Sequence, residues 1–443
     1  MNKILPFLII ILFTCTFIKA ESIDTASVKT SFPVIVDSIT LSGNDITDED
    51  IIIRELTFAA GDTLTKDLAD YNKERIFSLG IFTKVEFSVK NDSGKNILNI
   101  HVDEGWYIYP IPFVQLKDKD WNKLSYGFYA VIKNFRGRNE SITGKAEFGY
   151  DPSFTLSYYK PSLGPGSKIF MQFDLLYQNV NNVSNTAEML HGDTFEQKNI
   201  AGQVSVGKRF GLFNWLSLSA AYNYIETPFF IKGISASDSR IDRFPSAGFI
   251  YKYDNRDLIQ FPKNGLYFDF ELLWKGFGIN KIDHGILNLD FREYRKLWGD
   301  LHGKWRLTSK FTMGGLIPYY DYSRLGSTEK IRGHFHDEEE GNHLYIGSFE
   351  LYHPIIKDLN LSFEWVPFIP NQLLRYRVAL YSQLFIETGA VQQRKRKLGI
   401  NDFNTGYGGG LTLLILPYNL LRFEYGLDEF NNGEFIIDIG VSF

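Results

Sequence analysis

Arg332, followed by Gly333, is the residue of this 443-residue chain whose chemistry most demands a partner. A guanidinium keeps its proton in a protein, and its planar fork matches a carboxylate through two parallel N–H···O bonds. It stands in Ile331-Arg332-Gly333-His334, in a polar stretch flanked by segments of alternating polarity. An arginine there is either a solvated loop residue or a charge that has been given an acceptor. Around it lie His334, His336, Asp337, Glu338, Glu339, Glu340 and His343, residue types that could ligate a metal. Their spacing fits no metal-ligand template, and a hydrated acidic loop tip accounts for them more simply, so neither metal nor cofactor is expected. Gly-x-Ser-x-Gly, His-Glu-x-x-His and the phosphate-binding Gly-x-x-x-x-Gly-Lys-Ser/Thr are absent, and the chain is not read as an enzyme. The glycines from Gly406 to Gly410 open a strand and not a helix, which favours packing over a nucleotide loop.

The elements that must position such a charge are strands. The composition is 16% aromatic, with 25 Tyr and 38 Phe, but only 44% hydrophobic overall. A soluble protein would struggle to bury that many rings, whereas a membrane barrel sets them in girdles at its two interfaces. The net charge of −5 gives no basic face for nucleic acid. Lys3, the apolar run Ile4 to Phe17 and Ala20-Glu21 read as a signal peptide cut after Ala20, over residues 1–20. A lipoprotein reading through Cys15, the lone cysteine, is the alternative. Residues 21–33 make a short linker. No later segment is long and apolar enough to span a membrane as a helix, so a membrane-resident chain must close a barrel.

Residues 34–105 read as a compact β-α-α-β-β unit. Ile39 and Leu41 alternate in a first strand, and Thr47 with Asp50 resembles a capping box opening a helix through Leu56. A second helix is predicted from about Lys66 to Leu79, with Leu68, Tyr71, Ile76 and Leu79 as its apolar stripe and Gly80 as its stop. Val85, Phe87 and Val89, then Leu98, Ile100 and Val102, mark two strands. From Trp106 onward no convincing helix is legible. Residues 106–443 alternate in polarity, and at roughly 20 residues per strand and connection they predict about 16 antiparallel strands. The last strand places Phe435, Ile437, Ile439, Val441 and Phe443 on one face toward lipid, with Glu434, Asp438, Gly440 and Ser442 toward the lumen.

Several of these stretches, in this order, resemble the BamA/TamA superfamily of outer-membrane assembly factors. The N-terminal unit, with its Gly43-Asn44 turn and Leu79-Gly80, resembles a single POTRA domain. Asn134 to Asn139 looks like an early barrel turn. Asp254, Arg256 and Asp257, then Phe261, Pro262 and Gly265, look like the family's mid-barrel periplasmic turn. Leu325-Gly326-Ser327 with Ile331-Arg332-Gly333-His334, Glu350-Leu351 with Pro354, and Phe385 to Gly389 follow. A terminal aromatic resembles the signal by which such barrels are recognised for insertion. The family has an aromatic where His334 stands and an aspartate where Glu387 stands. The resemblance implies a loop folded into the lumen, and Glu350 and Glu387 are then the expected acceptors for Arg332 in a lumenal latch that includes Ile331, Gly333 and His334.

The resemblance further implies a mainly β fold, one small α/β domain before a transmembrane barrel. It implies an outer-membrane location in a Gram-negative-type bacterium, with the POTRA domain in the periplasm. The expected role is an assembly factor that receives unfolded barrel precursors on a free strand edge such as Phe82 to Lys90. It would insert them through a gate between a first strand near Trp106 to Leu116 and the last strand, Glu434 to Phe443. Its expected partners are those precursors, outer-membrane lipid and accessory lipoproteins, around a monomeric barrel. A two-partner-secretion transporter of one soluble protein and a passive porin are the alternatives.

Overall fold

The computed structural model describes residues 32–116, 121–164, 166–326, 329–334, 337–417 and 419–440. The expected leader, His336, Val441, Ser442 and Phe443 lie outside the described residues.

In the N-terminal domain, β1 (Val34–Ile35) pairs with β3 (Thr63–Leu64). The main sheet has the order β2 (Ser38–Ser42), β5 (Lys95–Glu104), β4 (Phe82–Asp92), with β2 parallel and β4 antiparallel to β5. Alternation along β5 buries Leu98, Ile100 and Val102 completely, against Ile52 and Ile76 of the two helices, Glu49–Ile53 and Lys66–Phe77. The second helix starts at Thr65, whose hydroxyl accepts from the Leu68 N–H at 3.3 Å. It buries Ala69, Asn72, Arg75, Ile76 and Phe77, so the buried face is rotated from the predicted stripe, and Leu68 and Leu79 only flank the core. Thr47 does not cap the first helix. Asp48 holds that position without a side-chain bond, because the Thr47 hydroxyl is turned away from the helix: it donates to the Glu104 carboxylate at 2.5 Å and accepts from the Asn134 amide at 2.8 Å instead of from a helix N–H.

Sixteen strands form one continuous antiparallel sheet. They are β6 (Ile108–Leu116), β7 (Leu124–Phe135), β8 (Glu140–Gly149), β9 (Ser153–Lys160), β10 (Ile169–Asn181), β11 (Glu196–Phe210), β12 (Asn214–Glu226) and β13 (Ile241–Asp254). Then come β14 (Gly265–Lys275), β15 (His284–Trp298), β16 (Leu301–Gly314), β19 (His343–Ser362), β20 (Arg375–Gln392), β21 (Asn404–Leu416), β22 (Asn419–Asp428) and β23 (Gly433–Ile439). Each strand pairs with its sequence neighbour. The one skip is the long segment between β16 and β19, which carries a small ribbon of β17 (Ser323–Leu325) and β18 (Glu339–Gly341). The sheet ends on β6 and β23, and no ladder joins those two strands among the described residues.

Period-2 alternation sorts the two faces. On β23, Phe435, Ile437 and Ile439 are more than 60% exposed, while Ile436 is buried. On β22, Phe423 and Tyr425 point outward and Arg422 and Glu424 are buried inside. The outer face is apolar and the lumen polar and charged, the pattern of a transmembrane barrel. A helix does occur beyond Trp106. Asn185–His191 forms between β10 and β11, where Ser184 accepts from the Ala187 N–H and Gly192 ends it at φ +96°. The barrel thus has a near rim, whose turns meet the N-terminal domain, and a far rim at the opposite end.

Candidate functional site

The segment between β16 and β19 enters the lumen from the far rim and brings Arg332 to 4% exposure. Its guanidinium donates to Glu387 at 2.6 Å, Glu350 at 3.1 Å and Glu424 at 2.6 Å. The Arg332 backbone N–H also donates to Glu387, at 3.0 Å, and the guanidinium carbon lies 3.6 Å from the Phe385 ring centroid. Lys304 of β16 pairs with Glu350 at 2.9 Å, and Arg422 of β22 with Glu424 at 3.1 Å. Three cations therefore balance three carboxylates, every one of them buried. Balance matters there, because removing one partner from a buried ion pair costs roughly 3–5 kcal/mol through the charge it strands.

The strand register explains how residues so far apart in sequence converge. Lys304 is opposite Glu350, Glu350 opposite Phe385, and Phe385 opposite Gly408, so one lumenal row runs across four strands. Glu387 sits one inward position along and faces Gly406. A Cβ on Gly406 would lie 1.7 Å from the Arg332 carbonyl oxygen, so the glycine leaves the bed on which the loop rests. Gly333, at φ +103°, presses against the Leu427 carbonyl and donates its N–H to Glu434 of β23 at 2.7 Å. Ile331 is fully buried beside Leu325, Leu344 and Ile346.

His334 lies between two acids, with Nδ1 2.7 Å from Asp337 and Nε2 2.6 Å from Glu429, in the turn between β22 and β23. Burial opposes its charge, but the hydrogen bonds to Asp337 and Glu429 outweigh that and raise the imidazole above its ordinary value. Farther back along the same segment, Asp321 accepts from Lys275 at 2.6 Å and pairs with His284 at 2.7 Å, while Tyr319 donates to Gln197 at 2.7 Å. Among the described residues His343 joins no histidine cluster. Its Nδ1 accepts from the Thr312 N–H at 3.2 Å.

The predicted turn closes the near rim. Arg256 grips Asp254 through two bonds of 2.8 and 2.7 Å, and Asp257 accepts the N–H groups of Leu258, Lys263 and Asn264. Tyr352 donates to the Pro262 carbonyl at 2.7 Å, and Gly265 leads directly into β14. Phe261 packs on Tyr352 and Tyr381, and with Leu258 it meets Phe77 of the N-terminal domain. Ion pairs ring this apolar seal. Glu55 holds Arg75 at 2.7 Å and Arg209 at 2.8 Å, Glu74 holds Arg377 through two bonds of 2.8 Å, and Asp103 holds Arg375. Burial works against the Glu55 carboxylate, yet Arg209 and Arg75 keep it below the ordinary value.

The sequence reading placed Arg332 with Glu350 and Glu387 but missed Glu424, Lys304 and Arg422, and it named Phe385 only as part of a strand motif. A signal was present: Arg422 and Glu424 are like-facing charges on a strand whose other face is Leu421, Phe423 and Tyr425. Such charges must point into a polar lumen, and each needs a partner there. Phe435, Ile437 and Ile439 are on the outer face as expected, and Glu434 turns inward to Gly333.

Comparison with known proteins adds the family. Residues 134–443 match the model of the Omp85 superfamily domain, and residues 34–105 match the POTRA model described as surface antigen variable number repeat. No curated protein matches. Among solved structures, BamA from Haemophilus ducreyi lacking POTRA domains 1–3 is similar at TM-score 0.53 and 18% identity, over 92% of this chain and 84% of that one. CdiB from Escherichia coli is similar at TM-score 0.55 and 10% identity, over 91% of this chain and 75% of that one. At these identities the likeness is one of fold. With most of its length matched, and a lumenal loop, a barrel and one POTRA domain in the matching order, the chain belongs to the Omp85 superfamily.

Proposed function

We propose that this chain is an outer-membrane protein assembly factor, with its POTRA domain in the periplasm. Unfolded barrel precursors would be received on the edge strand β4 and inserted through a gate between β6 and β23. The observation that carries the reading is that β6 and β23 both end the sheet with no ladder between them among the described residues. Unpaired strand edges template another chain, and barrels normally remove them by closing. The lumenal loop supports it, because Gly333 holds Glu434 on the very strand that would have to move. No bond is made or broken in such a step. Outer-membrane lipid and accessory lipoproteins are the further partners of this reading, around a monomeric barrel.

The likeness to CdiB favours a second reading, a transporter passing a soluble protein through the lumen. That route requires both the Arg332 loop and the near-rim seal to leave the lumen. A disulfide between β6 and β23 separates the two. Cysteines scanned along β6 against Ile437→Cys should abolish barrel assembly when oxidised and restore it on reduction. Transport that continues through the oxidised protein would favour the transporter. Depletion in the native host should lower many barrel proteins for an assembly factor, or one secreted protein for a transporter.

A further inference from the structure

The hairpin of β19 and β20 runs past the near rim, and among the described residues half of β19 has a neighbour on one side only. The β16 ladder along β19 ends at the His302–Tyr352 pair, whereas pairing with β20 continues to Ser362. Residues 355–360 are exposed. Phe363 donates its N–H to Leu374 at 2.9 Å, and the register continues through Ser362–Arg375, Leu361–Tyr376 and Asn360–Arg377. In an antiparallel pair alternate residues turn their backbone groups toward and away from the partner. Phe363 and Leu361 therefore bond to β20, while Asn360 and Ser362 aim N–H and C=O outward, about 7 Å apart, along an edge that no strand pairs among the described residues.

We infer that this overhanging edge of β19 is a landing strip for an extended polypeptide, added to the sheet by backbone pairing. The inference rests on the assembly reading above. A repeating row of outward donors and acceptors is satisfied in register only by another extended backbone. Apolar side chains suited to such a guest lie alongside: Leu359 is 50% exposed, Trp365 79% and Phe368 wholly so. Phe368 sits at φ +70°, a conformation disfavoured for a bulky residue, with a ring left fully exposed by the described residues. Neither backbone preference nor packing calls for phenylalanine there. A bilayer is the poorer occupant, because Lys357, Asp358, Glu364 and Arg375 surround the strand with charge.

The probe is a labelled synthetic peptide with the sequence of residues 433–443, an alternating barrel strand, added to the full chain in nanodiscs. A photo-crosslinking residue in place of Leu359 should capture it. Asn360→Pro and Ser362→Pro, which remove one outward N–H each and no bond to β20, should each weaken binding by roughly fivefold, one net hydrogen bond's worth. Asn360→Ala keeps the N–H and should bind as the parent does. Should a proline variant fail to fold, hydrogen exchange in the unaltered chain decides, and the Asn360 and Ser362 amides must slow when peptide is added. Capture elsewhere, unchanged exchange, or crosslinking of Leu359 to lipid alone would overturn the inference and leave the assembly reading standing. Peptide held on this edge in a host whose barrel proteins survive depletion would overturn the assembly reading and leave the edge standing.

Discussion

Two regions fasten one part of this molecule to another, and they do it by opposite means. In the lumen, Arg332 is held by Glu350, Glu387 and Glu424 in a buried cluster of six charges, with a single aromatic face against it. At the near rim, the N-terminal domain is held by an apolar seal of Phe77, Leu258, Phe261, Tyr352 and Tyr381, with partly exposed ion pairs at Glu74 and Asp103 and a largely buried one between Glu55 and Arg209 around it. A buried, balanced charge cluster is intact or badly broken, since any missing member strands a charge. The seal's area and its screened pairs at Glu74 and Asp103 can be given up separately, so that part of the rim yields by degrees. The lumenal latch is accordingly suited to two discrete states, and that part of the near rim to graded movement.

The largest break in that comparison should come from Arg332→Ala. It leaves three carboxylates facing two cations, and a loss of roughly 3–5 kcal/mol is expected in the heat needed to unfold the barrel in detergent. The variant should insert and complement poorly, and full complementation would remove the functional case for the latch. Next is Gly406→Ala, which keeps every charge and fills the loop's bed. A cost of about 1–3 kcal/mol and faster proteolysis near Lys330 are expected, and an unchanged cleavage rate would show that the loop does not rest there.

Smaller again is Glu74→Gln at the near rim. It should cost about 1 kcal/mol or less and loosen the domain from the barrel in a crosslinking assay. High salt should mimic it there while leaving the latch untouched. The smallest effect is set by pH, and the two regions should respond at opposite ends of the scale. His334 titrates above its ordinary 6.5, so its contribution is complete below that pH and fades as pH rises through the elevated value. Glu55 titrates below its ordinary 4.5, so its contribution is complete above that pH and fades as pH falls through the depressed value. Hydrogen exchange corrected for intrinsic rates should show Gly333 opening few-fold faster on the alkaline side only, and not in His334→Phe.

The sixteen strands, the small domain ahead of them and the outer and lumenal faces of β23 were legible in the sequence. Each follows from alternation or helical spacing within about ten residues, and such patterns need no knowledge of the rest of the chain. Arg332 was legible as a charge requiring carboxylates, with Glu350 and Glu387 in reach once the loop was taken as lumenal. Thr47 was misread because a cap is a local rule, and Glu104, 57 residues away, won its hydroxyl. Glu424, Lys304 and Arg422 joined the cluster only through the register of several strands laid side by side, a sum of shears that no single segment encodes. The docking of Glu55 and Glu74 on the rim, and the ten residues by which β19 outruns β16, are likewise properties of neighbours and not of the segments themselves. Periodicity within the chain therefore determined what the elements are and which way they face. The tertiary structure decided which charges meet, because lateral register and domain docking are set by contacts between residues far apart in sequence.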